Sequence, residues 1–333
     1  MKHSQRKPPI SRRSLTLLIP AIFAAAALAG CGPQQSAEGS FDKTFTVQGP
    51  LRLELTNGSG EDHVSVGAAG QVQVHGEIHV KDWSKSSSDS RVRQLETDPP
   101  VMREGSVIRI GGFGTHTGDA DIDYTVTVPP NTELKATTGS GELSATGLQG
   151  PVTILTGSGD VTLAQIGGDV RATSGSGDLT FSNIAGQTQI TTGSGDITLA
   201  YPKNEVRIQT GDGNIQITQP GDAVTVQTGS GDVEVTDASA DLRVHASSGE
   251  ITVSGNPRSG AYWEFHAISG DITLNVPATS SFELYAHSLS GDIDTQIPIM
   301  MEGTTGSHEL RGRVGDARAH VEAATTSGSI TLH

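Results

Sequence analysis

An all-β solenoid of two sheets, with about 18 residues per coil, is the fold class this sequence predicts, and three observations predict it. First, an acidic or amide residue behind a glycine-rich turn recurs at Glu142, Asp160, Asp178, Asp196, Asn214, Asp232 and Glu250, each 18 residues after the last. Second, the eighteen divides into two nines, each a turn and a short strand: residues 157–165 read GSGDVTLAQ and residues 166–174 read IGGDVRATS. Third, apolar and polar residues alternate with period 2 inside the strands, as at Val161-Thr162-Leu163 and Val206-Arg207-Ile208. Such alternation buries one face of each strand. A fixed period of this length means units that contact mainly their neighbours. Val, Ile and Thr dominate the strands, which excludes helix there.

Taken in chain order, residues 1–30 have the form of an export signal. Lys2, Arg6, Lys7, Arg12 and Arg13 precede an apolar run over residues 15–28, too short to span a bilayer, which needs about 20 residues. The run ends in Leu28-Ala29-Gly30-Cys31, and Cys31 is the sole cysteine of the chain. This resembles a bacterial lipobox, in which the cysteine is lipidated and becomes the mature N-terminus; Arg12-Arg13 also resembles a twin-arginine export signal. Residues 31–40 are small and polar and predict a flexible tether. Loss of the signal removes those five basic residues and no acid, taking the net charge from −15 to −20. Nucleic acid is thereby excluded as a partner.

Residues 41–130 carry alternating strands without the eighteen-residue clock, and predict an irregular N-terminal β region or cap. The polar stretch over residues 81–90 predicts a loop. Residues 131–333 form the repeat solenoid. The segment 256–260 accounts for a widening to intervals of 21 at Asp271 and Asp292, residues 299–313 predict an excursion, and Ser327-Gly328-Ser329-Ile330 supplies a closing turn. Coils stacked in chain order would align Val161, Leu179, Ile197, Ile215, Val233 and Ile251 in one inward column, facing Val170, Ile190, Ile208, Val226 and Val244 in the other. That core needs few aromatics, in keeping with 4% aromatic content. A meander of antiparallel hairpins has the same inward pattern and stays open as the alternative.

The run Val128-Pro129, then Leu134, Ala136 and Thr138-Gly139-Ser140-Gly141-Glu142, followed by repeated TGSGD turns and a final SGSITL, resembles the bacterial β-strand-repeat family DUF4097, whose members carry an adhesin label. The likeness covers residues 41–333. It implies a non-enzymatic surface or periplasmic β-repeat domain and supplies no catalytic residues.

Several columns invite a chemical reading. Stacked Asp160, Asp178, Asp196 and Asp232 would oppose like charges, relieved either by each Asp capping its own turn or by bound calcium. The acid directly follows the second glycine, which departs from the GGxGxD calcium nonad. His245, His266 and His287 each stand five residues before an acid and predict an outward imidazole column, either three solvated surface side chains or a stack able to hold a transition metal or sense pH. Outward Thr162, Thr180, Thr198, Thr252 and Thr273 are good strand residues, and Arg171, Arg207 and Arg243 form a mild basic stripe. Tyr262-Trp263, beside the 256–260 loop, could touch a glycan or plug the widened coil.

No GxSxG, HExxH, P-loop or dinucleotide fingerprint occurs, and every acid that could be catalytic is a repeat of its neighbours. The sequence therefore predicts no enzyme, no catalytic residue and no cofactor. The expected function is a non-enzymatic, lipid-anchored cell-envelope protein with a scaffold, adhesin or binding surface; a glycan-binding or carbohydrate-active β-helix protein is the alternative. The expected location is the bacterial envelope, at the outer membrane where one exists. The expected partners are the membrane, through lipidated Cys31, and an envelope protein or glycan.

Overall fold

Parallel stacking, and not the hairpin meander, is what the eighteen-residue unit builds. In the computed structural model, which describes residues 35–82, 84–112, 120–301 and 308–333, Val161 lies beside Leu179 and Leu179 beside Ile197, each pair in parallel register. Thr153 likewise stands beside Arg171 in a second sheet. Each coil gives one strand to each sheet, so among the described residues the chain forms a fourteen-stranded and a fifteen-stranded sheet facing each other. Residues 1–30, expected as an export signal, and Cys31 lie outside the described residues.

The inward side chains of both sheets form one continuous core. One expected column is out by a register step: Val170 stands beside Thr188, and Ile190 beside Ala172, because 20 residues and not 18 separate Val170 from Ile190. Phe181, the large residue of its column, shares a coil with the small Ala172, which evens the volume each coil contributes.

Two corners close each coil. At the Gly-Ser-Gly corner, a Cβ on Gly195 would lie 2.3 Å from the carbonyl oxygen of Gly177 in the coil below, and φ there is +109°. No side chain fits so close to stacked backbone. The opposite corner is left-handed without glycine: Gln165, Asn183, Tyr201, Gln219 and Asp237, again 18 apart, have φ between 50° and 58°. Each costs on the order of 1 kcal/mol, offset by the sheet pairing it permits.

The N-terminal region contains more solenoid than its broken rhythm predicts. Strands Leu51–Asn57 and Asp62–Val66 pair in parallel with Thr132–Thr138 and Leu143–Thr146, forming a coil of their own. Val107–Gly111 and Ala120–Val128 form another beyond it. Antiparallel strands then cover the end: Gln71–Asp82 pairs with Ala120–Val128, Gln35–Thr46 with Gln71–Asp82, and Val101–Glu104 with Val107–Gly111. Residues 35–40, expected as tether, are thus the first half of a paired strand, because Ala37 and Phe41 turn inward to the core. The stretch expected as a loop is also corrected: Lys85–Thr97 is a helix. Its buried Ser88, Val92 and Leu95 lie at helical spacing, and Val92 occupies the space left by Gly39. The helix packs against strands Gln35–Thr46 and Gln71–Asp82.

At the C-terminal end the coils leave chain order. Ala319–Ser327 pairs with Tyr262–Ser269 on one side and with Phe282–Ser290 on the other, and Ile330–Leu332 does the same between Ile272–Asn275 and Ile293–Thr295. The last coil therefore fills a slot between its two predecessors. The outer edge of Phe282–Ser290 is covered antiparallel by Glu309–Val314, which Met300–Met301 covers in turn. Covered ends block edge-to-edge growth.

Candidate functional site

The acidic column forms, but its carboxylates are engaged. Oδ1 of Asp160 accepts the backbone N–H of Asp178 at 2.8 Å, Asp178 that of Asp196 at 2.9 Å, and Asp196 that of Asn214 at 2.8 Å. Asn214 Oδ1 continues the ladder to Asp232 at 3.0 Å, and Asp232 to Glu250 at 2.8 Å. Each acid thus caps the equivalent turn one coil along, where its own turn was the expectation. This arrangement answers the like-charge problem, because each carboxylate faces a backbone dipole before it faces the next carboxylate. The same pattern links Asp271 to the N–H of Ser329 in the inserted last coil.

The basic stripe is diluted by register, with Gln189 between Arg171 and Arg207, and Thr225 between Arg207 and Arg243. Arg207 pairs with Glu205 at 2.6 Å and Arg243 with Glu264 at 3.3 Å. Exposed pairs of this kind contribute about 1 kcal/mol or less.

The outer face of the fifteen-stranded sheet changes character in its last coils. His245 stacks on His266 with ring centroids 5.0 Å apart and planes 9° from parallel. Burial, then the charge of His266, holds the His245 pKa below its ordinary value. His287 does not extend this stack, because the inserted final strand places Ala324 between it and His266. A three-imidazole metal column is therefore not assembled. His266 Nε2 instead meets Glu264 at 3.1 Å. Beside these rings opens a groove of about 560 Å³, lined by all three histidines and by Ile268, Leu289 and Thr326. Ile268 is 59% exposed and Leu289 67%.

Tyr262 and Trp263, adjacent in sequence, part company. Trp263 is fully buried, donates its indole N–H to the carbonyl of Ala240 at 2.7 Å and packs edge-on against Phe265. It plugs the widened coil and cannot meet a ligand. Tyr262 points outward and donates its hydroxyl to Glu322 at 3.0 Å. Its ring stacks on His320 at 4.9 Å, and the Arg243 guanidinium lies over it at 5.5 Å.

Two coil-building strands per eighteen residues, parallel register and the glycine corner together define the repeat, and a model of one family, Toastrack DUF4097, matches it over residues 52–225 and 203–333. The chain belongs to that family. Solved structures similar to this Toastrack chain include a candidate cell adhesion protein from Clostridium sporogenes, 13% identical, with 88% of this chain and 99% of that one covered and a TM-score of 0.27. Another is a candidate adhesin from Parabacteroides distasonis, 11% identical, with 89% and 97% covered and a TM-score of 0.30. A candidate adhesin from Bacteroides fragilis is 10% identical, with the same coverage and a TM-score of 0.29. None of the curated proteins matches the chain. Among the described residues no helix is long and apolar enough to cross a membrane.

Two features of this Toastrack chain escape a reading by repeats, and both lie at the N-terminal end. Asp62 stands in an inward column next to Leu143 and Tyr124. It is 1% exposed, and burial pushes its carboxyl up to about 7 despite a 2.9 Å hydrogen bond from Asn57. Its Oδ2 and the Tyr124 hydroxyl are both buried without a partner. On the outer face, Glu77, His79 and Asp123 gather into a group of metal-ligand type. The sequence signal for the first was an acid at an inward position; for the second it was the alternation His75-Gly76-Glu77-Ile78-His79.

Proposed function

We propose that this chain is a non-enzymatic cell-envelope protein, anchored by lipid on Cys31, whose solenoid presents an adhesive binding surface. The observation that carries this reading is the change on the outer face of the fifteen-stranded sheet. Over most of its length that face carries threonine, glutamine and arginine with Leu155 as an isolated exposed apolar residue; in the last coils it becomes a groove with stacked histidines and exposed Ile268 and Leu289 together. An exposed apolar patch with a rim of threonine, serine and glutamine suits association with a macromolecule. Glycan stacking on Tyr262 is disfavoured, because His320 and Arg243 already occupy its ring. The partner class this favours is protein. Catalysis finds no support in the acidic ladder, whose carboxylates are spent on backbone amides. The apolar run before Cys31 supports the anchor.

The test compares binding of the intact chain and of an Ile268→Glu, Leu289→Glu variant to whole cells and to a polysaccharide panel. The reading expects at least a tenfold loss of cell binding in the variant and no release of reducing ends. Unchanged binding in the variant, or sugar release by the parent, would overturn it.

A further inference from the structure

The outer face of the N-terminal cap carries chemistry that nothing in the repeat requires. In strand Gln71–Asp82, His75, Glu77 and His79 alternate, so all three side chains leave the same face. Antiparallel pairing sets Glu77 opposite Asp123 and His79 opposite Asp121 on one side. On the other side it sets Asp42 opposite His75 and Glu38 opposite His79. Five carboxylates and two imidazoles thus share one small area of three strands.

Within this patch, one ligand atom each from Glu77, His79 and Asp123 lies within 4.8 Å of the others. Nε2 of His79 is 3.3 Å from Oδ2 of Asp123. The other carboxylate oxygen of Asp123, Oδ1, accepts the backbone N–H of Glu61 at 2.7 Å, which fixes the carboxylate and leaves Oδ2 turned to the imidazole. Glu77 Oε1 lies 3.6 Å from Nε2 of His75, whose Nδ1 meets Asp42 at 2.9 Å. Ligands held about 2.0–2.2 Å from a first-row ion sit roughly 3–4 Å apart, so small side-chain rotations bring these three atoms onto one centre. All three side chains are at least a third exposed, so an ion can reach them.

Glu77 and Asp123 are like charges opposed directly across neighbouring strands, a destabilising arrangement in a chain already at net charge −15. A cation between them reverses that sign. We propose that Glu77, His79 and Asp123 form a binding site for a divalent first-row transition ion such as Zn²⁺ or Mn²⁺. The imidazole selects this class over calcium and magnesium, which take oxygen ligands. With three protein ligands, the remaining positions go to water, and the bound ion ties the capping strand Gln71–Asp82 to the coil strand Ala120–Val128.

The test is calorimetric titration of the intact, metal-stripped chain with ZnCl₂, alongside thermal unfolding with and without the ion. We expect one site whose occupation raises the melting temperature, and no such effect from CaCl₂ at the same concentration. His79→Gln and Glu77→Gln should each weaken Zn²⁺ binding at least tenfold, since loss of an outer-shell partner alone costs about 10- to 100-fold. Both residues are on the surface, and circular dichroism checks that each variant is folded. A double His245→Gln, His266→Gln variant should bind as the parent does. The proposal fails if the parent binds no Zn²⁺, if calcium substitutes equally, if both ligand variants keep parental affinity, or if affinity follows the distant histidine pair instead.

Discussion

Replacing Asp62 with Asn should stabilise the protein at neutral and alkaline pH and leave it nearly unchanged in acid. The carboxyl is 1% exposed, and its pKa rises from 3.8 to about 7 on folding, chiefly through burial. A raised folded-state value means the protonated form is the one the core tolerates. Stability from this group is present in full below about pH 4 and is lost as pH rises toward about 7. At about 1.36 kcal/mol per pH unit, the loss approaches ~4 kcal/mol as an upper bound. Asparagine removes the titration and keeps an oxygen to accept the 2.9 Å bond from Asn57. Its amide nitrogen takes the place of the unpartnered Oδ2, next in register to the Tyr124 hydroxyl that also lacks a partner. Repeat arrays can unfold in parts, so the assay is the urea midpoint at pH 4.5 and pH 8 combined with amide exchange across strand Asp62–Val66. The expected result is a higher midpoint and slower exchange in the variant at pH 8, with the two proteins converging at pH 4.5. Equal shifts at both pH values, or a parent whose stability does not fall between them, would refute the assignment of a buried neutral carboxyl.

Two further substitutions probe the repeat itself. Asp178→Ala removes the acceptor of the Asp196 N–H and should cost about 1 kcal/mol with faster exchange of that amide, whereas Asp178→Asn should be nearly silent, as Asn214 already does this work in the same ladder; amide exchange reads both. Thr188 stands inward between Val170 and Val206 with its hydroxyl unpartnered, so Thr188→Val should stabilise by about 1–2 kcal/mol, read as a rise in thermal midpoint.

How much of this was legible depends on whether neighbouring coils share a residue type. Where they do, as in Leu179 between Val161 and Ile197, period and alternation fix coil length, register and the inward face together. Legibility fails where partners are distant in sequence. Nothing local tells Ala319–Ser327 to enter between Tyr262–Ser269 and Phe282–Ser290, since the deciding contacts are with strands that match it equally well on either side. That insertion is what removes His287 from the histidine stack. The helix Lys85–Thr97 was hidden for another reason: three buried residues on a serine-rich segment give a face too narrow to stand out, and its docking partner is a pair of strands far from the clock. Glu77, His79 and Asp123 were unreadable as a group because Asp123 stands 44 positions after His79, and only antiparallel pairing unites them.

A residue repeated in every coil is also required by every coil, and the acidic ladder illustrates what that leaves for function. Asp160, Asp178 and Asp196 look like an ordered line of ligands, yet each supplies an oxygen to the next coil's backbone, and removing that bond for a ligand would weaken the stack. Chemistry available to an outside partner therefore belongs to residues that the stacking does not need. Those occur where the period breaks, at the capping strands that hold His75, Glu77 and His79 and at the out-of-order coils that hold Ile268 and Leu289. The ends must be irregular to stop further strand addition, and irregularity is what frees side chains from the ladder. On this argument, capping and binding are two consequences of one structural necessity, and substitutions of buried or ladder residues should alter stability while those on the outer face of the two ends alter recognition.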